Sequence, residues 1–230
     1  MLYFQRVFLR RARCKYIKNA VKKTLLGECE GLRWIMCHKR RCKWCNESNP
    51  LYVEYHDNEW GVLNFDDGYL YEMLILESFQ AGLSWECVLN KRHSFRVAYD
   101  NFDIEKVVLY GQKKIEELLC NNNIIRNRRK IEASINNSKI FMEIVREFGS
   151  FYDYLCIFCG GNTLYETGKV TNELSDRISG DLTRRGMRFV GSVIIYSYLQ
   201  AIGVIYSHDE DCYLYRGEFP ALPNNESIKY

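Results

Sequence analysis

The stretch Asp67–Ala81 reads DGYLYEMLILESFQA. Leu70, Met73, Leu74 and Ala81 share one face in the i, i+3, i+4 sense, the spacing of an α-helix rather than the strict alternation of a strand. Further along, Ile131, Ile135, Met142 and Val145 roughly continue such a face in the next long segment. Val190 to Val204 is a strongly apolar helical run, with Ser192 a candidate cap and Gly203 near its end. Alternating patterns are scarce. Leu51 to Tyr55 is the one short strand candidate, and Pro50 makes it an extended approach segment. Turn signals fall at Asp66-Asp67-Gly68, Asn121-Asn122-Asn123, Gly160-Gly161-Asn162 and Arg185-Gly186. The pattern predicts an all-α fold.

A chain of 230 residues that is 47% hydrophobic can bury a full core without disulfides. Its 27% charged residues, 3 Pro and 15 Gly exclude disordered, collagen-like and linker-rich classes. No apolar run approaches the ~20 residues of a membrane span. The ten Cys lack the regular spacing of a secreted disulfide scaffold, so a reducing compartment is expected. Cys87, Cys120 and Cys156 read as small core residues.

The net charge of +3 hides an asymmetry. Residues 1–35 carry nine Lys/Arg against Glu28 and Glu30, which leaves the rest of the chain slightly acidic. A nucleic-acid surface would therefore have to be local. The chain divides into a basic extension (1–35), a main domain (36–217) and an irregular tail (218–230). The extension reads as a solvated tail, as a mitochondrial-type presequence, or as sequence upstream of a start at Met36. The tail contains Pro220, Pro223 and Asn224-Asn225.

Three constellations can carry chemistry. Cys42, His56, His208 and Cys212 could close a tetrahedral Cys2His2 zinc site joining the beginning of the domain to its end, with His208 and Cys212 four apart on one face of a helical turn. Cys37, His38 and Cys45 are competing donors, and Cys42-x2-Cys45 also reads as a redox pair, although the βαβ context of that motif is absent. Glu77 follows Met73 by four and Leu74 by three, which sets a carboxylate on an apolar face. It is either a buried structural Glu or a pocket carboxylate for a cationic or hydrogen-donating ligand. Trp44, Tyr55, Trp60 and Trp85 lie near it in sequence and could wall a pocket for a flat cation. The third is a pair of basic clusters, Arg126-Asn127-Arg128-Arg129-Lys130 and Arg184-Arg185-Gly186-Met187-Arg188-Phe189-Val190-Gly191. Each is a solvated face or a phosphate site, the second at a helix N-terminus.

At these residues the chain closely resembles the bacterial 3-methyladenine DNA glycosylase type I family, from Arg41 to about Gly217. The most specific stretches are PLYVEYHDNEWGV (50–62) and ESFQAGLSW (77–85), supported by IIRNR (124–128) and FVGS (189–192). The resemblance implies an all-α helix-hairpin-helix glycosylase fold, zinc at Cys42, His56, His208 and Cys212, and DNA held at the hairpin. The hairpin cluster contributes Arg184, Arg185, Arg188 and Gly191, and Arg126 and Arg128 come from the other cluster. The resemblance places Glu77 as the pocket carboxylate and Tyr55 as a tyrosine that hydrogen-bonds the base. It matches Trp44 and Trp85 to aromatics that pack on the base, and Trp60 to a further pocket tryptophan. Asn123 and Arg129 stand where glycines are usual, and Cys45 is an extra thiol beside the metal ligands.

Methylation at N3 makes adenine cationic and a good leaving group, so such an enzyme chiefly extrudes, orients and discriminates while water completes the attack on the sugar. Glu77 is expected to recognise and stabilise the base, and Asp209 has little weight as a base catalyst. The implied partners are double-stranded alkylated DNA and free 3-methyladenine, with no membrane. A cytoplasmic, bacterial-type monomer is expected. The rivals are a damage-binding protein without catalysis and a redox protein built on Cys42-x2-Cys45 or Cys156-x2-Cys159.

Overall fold

The computed structural model describes residues 39–217. The extension 1–35, the tail 218–230, Cys37 and His38 lie outside the described residues. The described chain is mostly helical, and no helix in it is long and apolar enough to cross a membrane.

Helix α1 spans Pro50–Asn58. It contains the segment expected to be extended, and the correction has a local cause. The Asn49 side chain accepts from the Leu51 N–H, and Pro50, whose missing N–H costs nothing in a first turn, opens the helix. Helix α2 spans Asp67–Gln80, and the Asp66 carboxylate accepts from the Tyr69 N–H. Every residue from Leu70 to Phe79 is buried, so α2 is enclosed on all sides rather than along one stripe. Its two acids meet this burial differently. Glu72 binds Arg92 at 2.8 Å and Arg96 at 2.7 Å, and Arg92 also reaches Glu59 at 2.6 Å. Glu77 has no such cation.

Helix α3 (Trp85–Leu89) follows a turn through Gly82 and is capped by Ser84. Helices α4 (Arg92–Ala98), α5 (Ile104–Val107) and α6 (Gln112–Cys120) lead to α7, the 21-residue helix Arg128–Phe148. Its buried face begins at Ile131 and Ile135 as expected, but continues through Ser138, Phe141 and Ile144, leaving Met142 and Val145 half-buried. Ser134 and Ser138 on that face meet the hydroxyls of Tyr99 at 3.0 Å and Tyr71 at 2.6 Å.

Helix α8 (Phe151–Cys159) precedes β1 (Leu164–Tyr165), and α9 (Glu173–Arg184) opens on a capping box of Asn172 and Ser175. Helix α10 spans Ser192–Ala201. Its N-cap is Gly191 and not Ser192, whose hydroxyl instead bonds Asp176 and Ser175. Strand β2 (Ile205–Tyr206) pairs in parallel with β1, a two-residue bridge in an otherwise helical fold. Of the cysteines expected in the core, Cys120 is exposed, and Cys87 and Cys156 are half-buried.

Gly203 ends α10 with φ +78°, and a Cβ there would lie 2.3 Å from the Leu63 backbone nitrogen. Gly203→Ala therefore combines left-handed strain with a backbone clash that no rotamer relieves. The expected cost is about 3 kcal/mol or more, read from denaturant unfolding; a loss below about 1 kcal/mol would contradict this packing.

Candidate active site, metal centre and nucleic-acid interface

Cys42, His56, His208 and Cys212 present one donor atom each within 4.8 Å of one another, all buried. Cys42 Sγ lies 3.4 Å from His208 Nδ1, across 166 residues of sequence. Cys212 Sγ lies 3.5 Å from His56 Nε2 and 3.6 Å from His208 Nδ1. His208 and Cys212 follow β2 in a turn rather than on a helix, closed by the Cys212 N–H donating to the Asp209 carbonyl at 2.8 Å.

The donor chemistry suits a closed zinc site. Burial depresses both imidazoles, His208 to about 4, and the His56 Nε2 accepts from the Cys42 N–H at 3.2 Å. The Asp209 N–H donates to Cys42 Sγ at 3.3 Å and the Leu214 N–H to Cys212 Sγ at 3.4 Å, the support a thiolate requires. Behind His56, Nδ1 meets Asp57 at 2.8 Å, and Arg41 grips the same carboxylate at 2.9 and 2.8 Å. Such an outer carboxylate fixes the tautomer that turns Nε2 toward the cluster. Cys45 points elsewhere: its thiol donates to the Tyr52 carbonyl at 3.8 Å, and burial pushes it up to about 11. Burial also raises the Cys42 thiol, the reverse of what a redox nucleophile needs.

Aromatic rings run from this cluster to Tyr55 and Trp85, and Glu77 acts electrostatically on Tyr55. Trp60 packs 4.7 Å from His208 and 4.7 Å from Trp44, both edge-on. Trp60 thus touches the candidate metal ligands as well as the rings beyond them. Trp44 lies 6.5 Å from Tyr55, and Tyr55 lies 5.3 Å from Trp85. Glu77 is 2% exposed, and burial alone lifts its carboxyl well above the usual range. Its Oε2 and the Trp85 Nε1 are both buried without a hydrogen-bond partner. Burial, reinforced by Glu77, raises the Tyr55 phenol, so Tyr55 keeps its proton at neutral pH. An acceptor and a donor left open between packed rings can receive a flat polar ligand with complementary groups.

The two basic clusters meet in space. Arg129 from the start of α7 and Arg188 from the α9–α10 connection line one surface cleft of about 360 Å³ with Glu132 and Phe189. Asn137 of α7 shapes the connection: it accepts from the Arg188 N–H at 2.9 Å and donates to the Arg188 carbonyl at 2.8 Å. Asn136 donates to the Gly186 carbonyl at 2.8 Å. These clamps hold Phe189 at φ +57°, a left-handed conformation that a bulky residue seldom adopts. Helix α10 then begins at Gly191 with no side-chain cap, leaving its first N–H groups available to an anion.

The arginines are not equivalent. Arg184, Arg188, Arg126 and Arg128 are exposed, with Arg184 3.0 Å from Asp181 and Arg128 3.5 Å from Glu132. Arg185, expected to meet phosphate, is bound to Glu147 at 2.7 Å and Asp181 at 2.9 Å and lies over Phe148 and Tyr154. Lys130, read only as one more charge in its cluster, is buried. The Asn136 and Asn137 clamps left no local signal beyond being polar residues inside a helical segment.

The methyladenine glycosylase family model matches residues 44–215. The DNA-3-methyladenine glycosylase 1 of Escherichia coli (strain K12) is 39% identical over 187 residues, covering 78% of this chain and 99% of that protein. A crystal structure of 3-methyladenine DNA glycosylase I aligns with a TM-score of 0.74 at 37% identity, over 77% of this chain and all (100%) of that one. The Staphylococcus aureus 3-methyladenine DNA glycosylase I, from a structural study of 3-methyladenine recognition, gives 0.71 at 31% identity over 75% of this chain and 94% of that one. With sequence and fold agreeing over three quarters of its length, this chain belongs to the 3-methyladenine DNA glycosylase type I family, hydrolases that act on N-glycosyl bonds.

Proposed function

We propose that the protein removes 3-methyladenine from alkylated double-stranded DNA by flipping the base into the site formed by Glu77, Tyr55, Trp85 and Trp44. One observation carries this reading: the Glu77 Oε2 and the Trp85 Nε1 are both buried with their hydrogen-bonding capacity unused. Extrusion costs a few kcal/mol, and least for a damaged base. Inside the site the Trp faces attract the methylated, cationic ring. Burial raises the Glu77 carboxyl in the free protein, and a cationic base beside it favours the carboxylate form, which stabilises that cation and disfavours neutral adenine. Tyr55, which keeps its proton, donates a hydrogen bond to the base through its phenolic O–H. Water then completes the attack on the sugar. Asp209 serves the metal centre instead, since it accepts from the Lys43 N–H at 2.8 Å and its own N–H bonds Cys42.

Cys42, His56, His208 and Cys212 are the residues that would hold one zinc ion. A bound zinc there would supply a closed crosslink between the two ends of the domain, with no open position for chemistry. Trp60, packed on His208 and Trp44, transmits that rigidity to the base site.

We assign DNA contact to the α9–α10 connection, acting as a helix-hairpin-helix element through Gly191, Arg184 and Arg188, with Arg126 and Arg128 alongside. Arg184→Ala and Arg188→Ala should each flatten the salt dependence of duplex binding by about one unit of slope, equally for all sequences. Arg185→Ala should instead lower thermal stability and leave the slope intact, because its charge is spent on Glu147 and Asp181. An unchanged slope in the Arg184/Arg188 double variant would move the DNA surface to Arg126 and Arg128.

The deciding experiment is chromatography of bases released from methylated DNA, scoring 3-methyladenine against 7-methylguanine and 3-methylguanine. Selective release of 3-methyladenine is expected. Duplex binding without release of any base would leave a damage-binding protein.

A further inference from the structure

Lys130 lies in the first turn of α7 and is 8% exposed. Its Nζ donates to the carbonyls of Phe79 at 2.8 Å and Ala81 at 2.6 Å and lies 5.9 Å from the centre of the Phe189 ring. The two carbonyls end α2, where the helix dipole is negative and the backbone acceptors lack intrahelical partners. A buried cation there is stabilised by carbonyl dipoles and a ring face rather than by an acid. The burial also removes Lys130 from the phosphate-binding role its cluster suggests.

The position of this contact gives it consequence. Glu77 lies in the last turn of α2, immediately before the gripped carbonyls. Beyond them, Gly82 turns with φ +77°, the Leu83 N–H returns to the Gln80 carbonyl at 2.6 Å, and Ser84 caps the helix that begins with Trp85. Lys130 therefore grips the short segment that sets the spacing of Glu77 and Trp85. Its own helix carries Asn136 and Asn137, which shape the α9–α10 connection, and Phe189 from that connection covers its ammonium group.

We infer that Lys130 is a positioning residue, which locks the α2–α3 turn so that Glu77 and Trp85 face the flipped base together, in register with the DNA-contacting connection. The inference rests on the base-flipping reading above.

Lys130→Met keeps the apolar stem and deletes the donors, whereas Lys130→Arg keeps donors and charge. Melting, binding of free 3-methyladenine, single-turnover release from methylated DNA and the salt slope on undamaged duplex are measured for each variant and for the wild-type protein. Lys130→Met is expected to lose on the order of tenfold or more in both free-base affinity and release per folded molecule, since small misplacements in a site carry large rate penalties. Its salt slope should match the wild type, and Lys130→Arg should recover most of the loss.

Wild-type levels of base binding and release in folded Lys130→Met would overturn the inference, as would a salt slope reduced by one unit, which marks a direct phosphate contact. If Lys130→Met does not fold, Lys130→Gln replaces it, and equal release by the Gln and Arg variants then overturns the inference. Wild-type protein that releases no 3-methyladenine refutes the base-excision reading itself. Wild-type release matched by Lys130→Met refutes only the role of Lys130.

Discussion

Replacing His56 and His208 together by Ala is expected to abolish zinc retention and to lower the melting temperature sharply. Two of the four candidate ligands lie near the start of the described chain and two near its end, so the cluster joins the two ends of the domain. Structural zinc sites bind with apparent free energies of about 10–16 kcal/mol, and that energy is coupled to folding because the unfolded chain has no preformed site. A domain with a large aromatic and aliphatic core will not lose all of that stability. It does lose the crosslink and leaves the two buried thiols without their imidazole neighbours. His208→Ala alone should give a smaller loss in both metal content and stability. Metal analysis of the purified protein, expected to find about one zinc per chain, and calorimetry of the same samples make the check. Full metal occupancy in the double variant would remove these residues from the site. The aromatic relay extends the prediction to function: Trp60 packs on His208 and Trp44, so metal loss should also reduce release of the base.

Glu77→Gln is expected to lower affinity for the flipped methylated base, and its release, by roughly 1.5–3 kcal/mol, the magnitude of a lost charged hydrogen bond. That corresponds to about a 10- to 150-fold loss in single-turnover release. The substitution keeps size and some hydrogen bonding while deleting the charge that a cationic base selects. Binding of undamaged DNA should barely change, because the phosphate contacts proposed above involve other residues. The stability readout has the opposite sign from that of a structural carboxylate. Burial raises the Glu77 carboxyl above its usual value of 4.5 in the folded protein. Its neutral form is fully tolerated at low pH, and stability is lost as pH rises and the buried group is driven to ionise. Glu77→Gln cannot ionise, so the variant should melt at or above the wild type, with a difference that grows with pH. A lowered melting temperature with release per folded molecule intact would make Glu77 a structural acid and take it out of the base site.

Helical periodicity sufficed for the fold class, because Leu70, Met73 and Leu74 are neighbours on a helix whatever packs against them. The ligand types at Cys42, His56, His208 and Cys212, and the carboxylate at Glu77, were equally legible as chemistry in a pattern. The helix at Pro50–Asn58 was missed because Leu51 to Tyr55 is too short for periodicity to separate helix from strand, and the cap at Asn49 and Pro50 carried the decision. Cys42 and Cys45 are indistinguishable as residue types. The fold separates them by turning one thiol toward His208 and the other toward the Tyr52 carbonyl. Arg185 looked like its neighbours until Glu147, 38 residues away, claimed its charge. Lys130 looked like one more charge in its cluster until the end of α2, 51 residues away, enclosed it. Local propensity and residue chemistry act within a few positions and so survive in a linear reading. Burial and charge pairing are created by the approach of distant segments, and only the tertiary structure decides which arginine remains exposed and which lysine is enclosed.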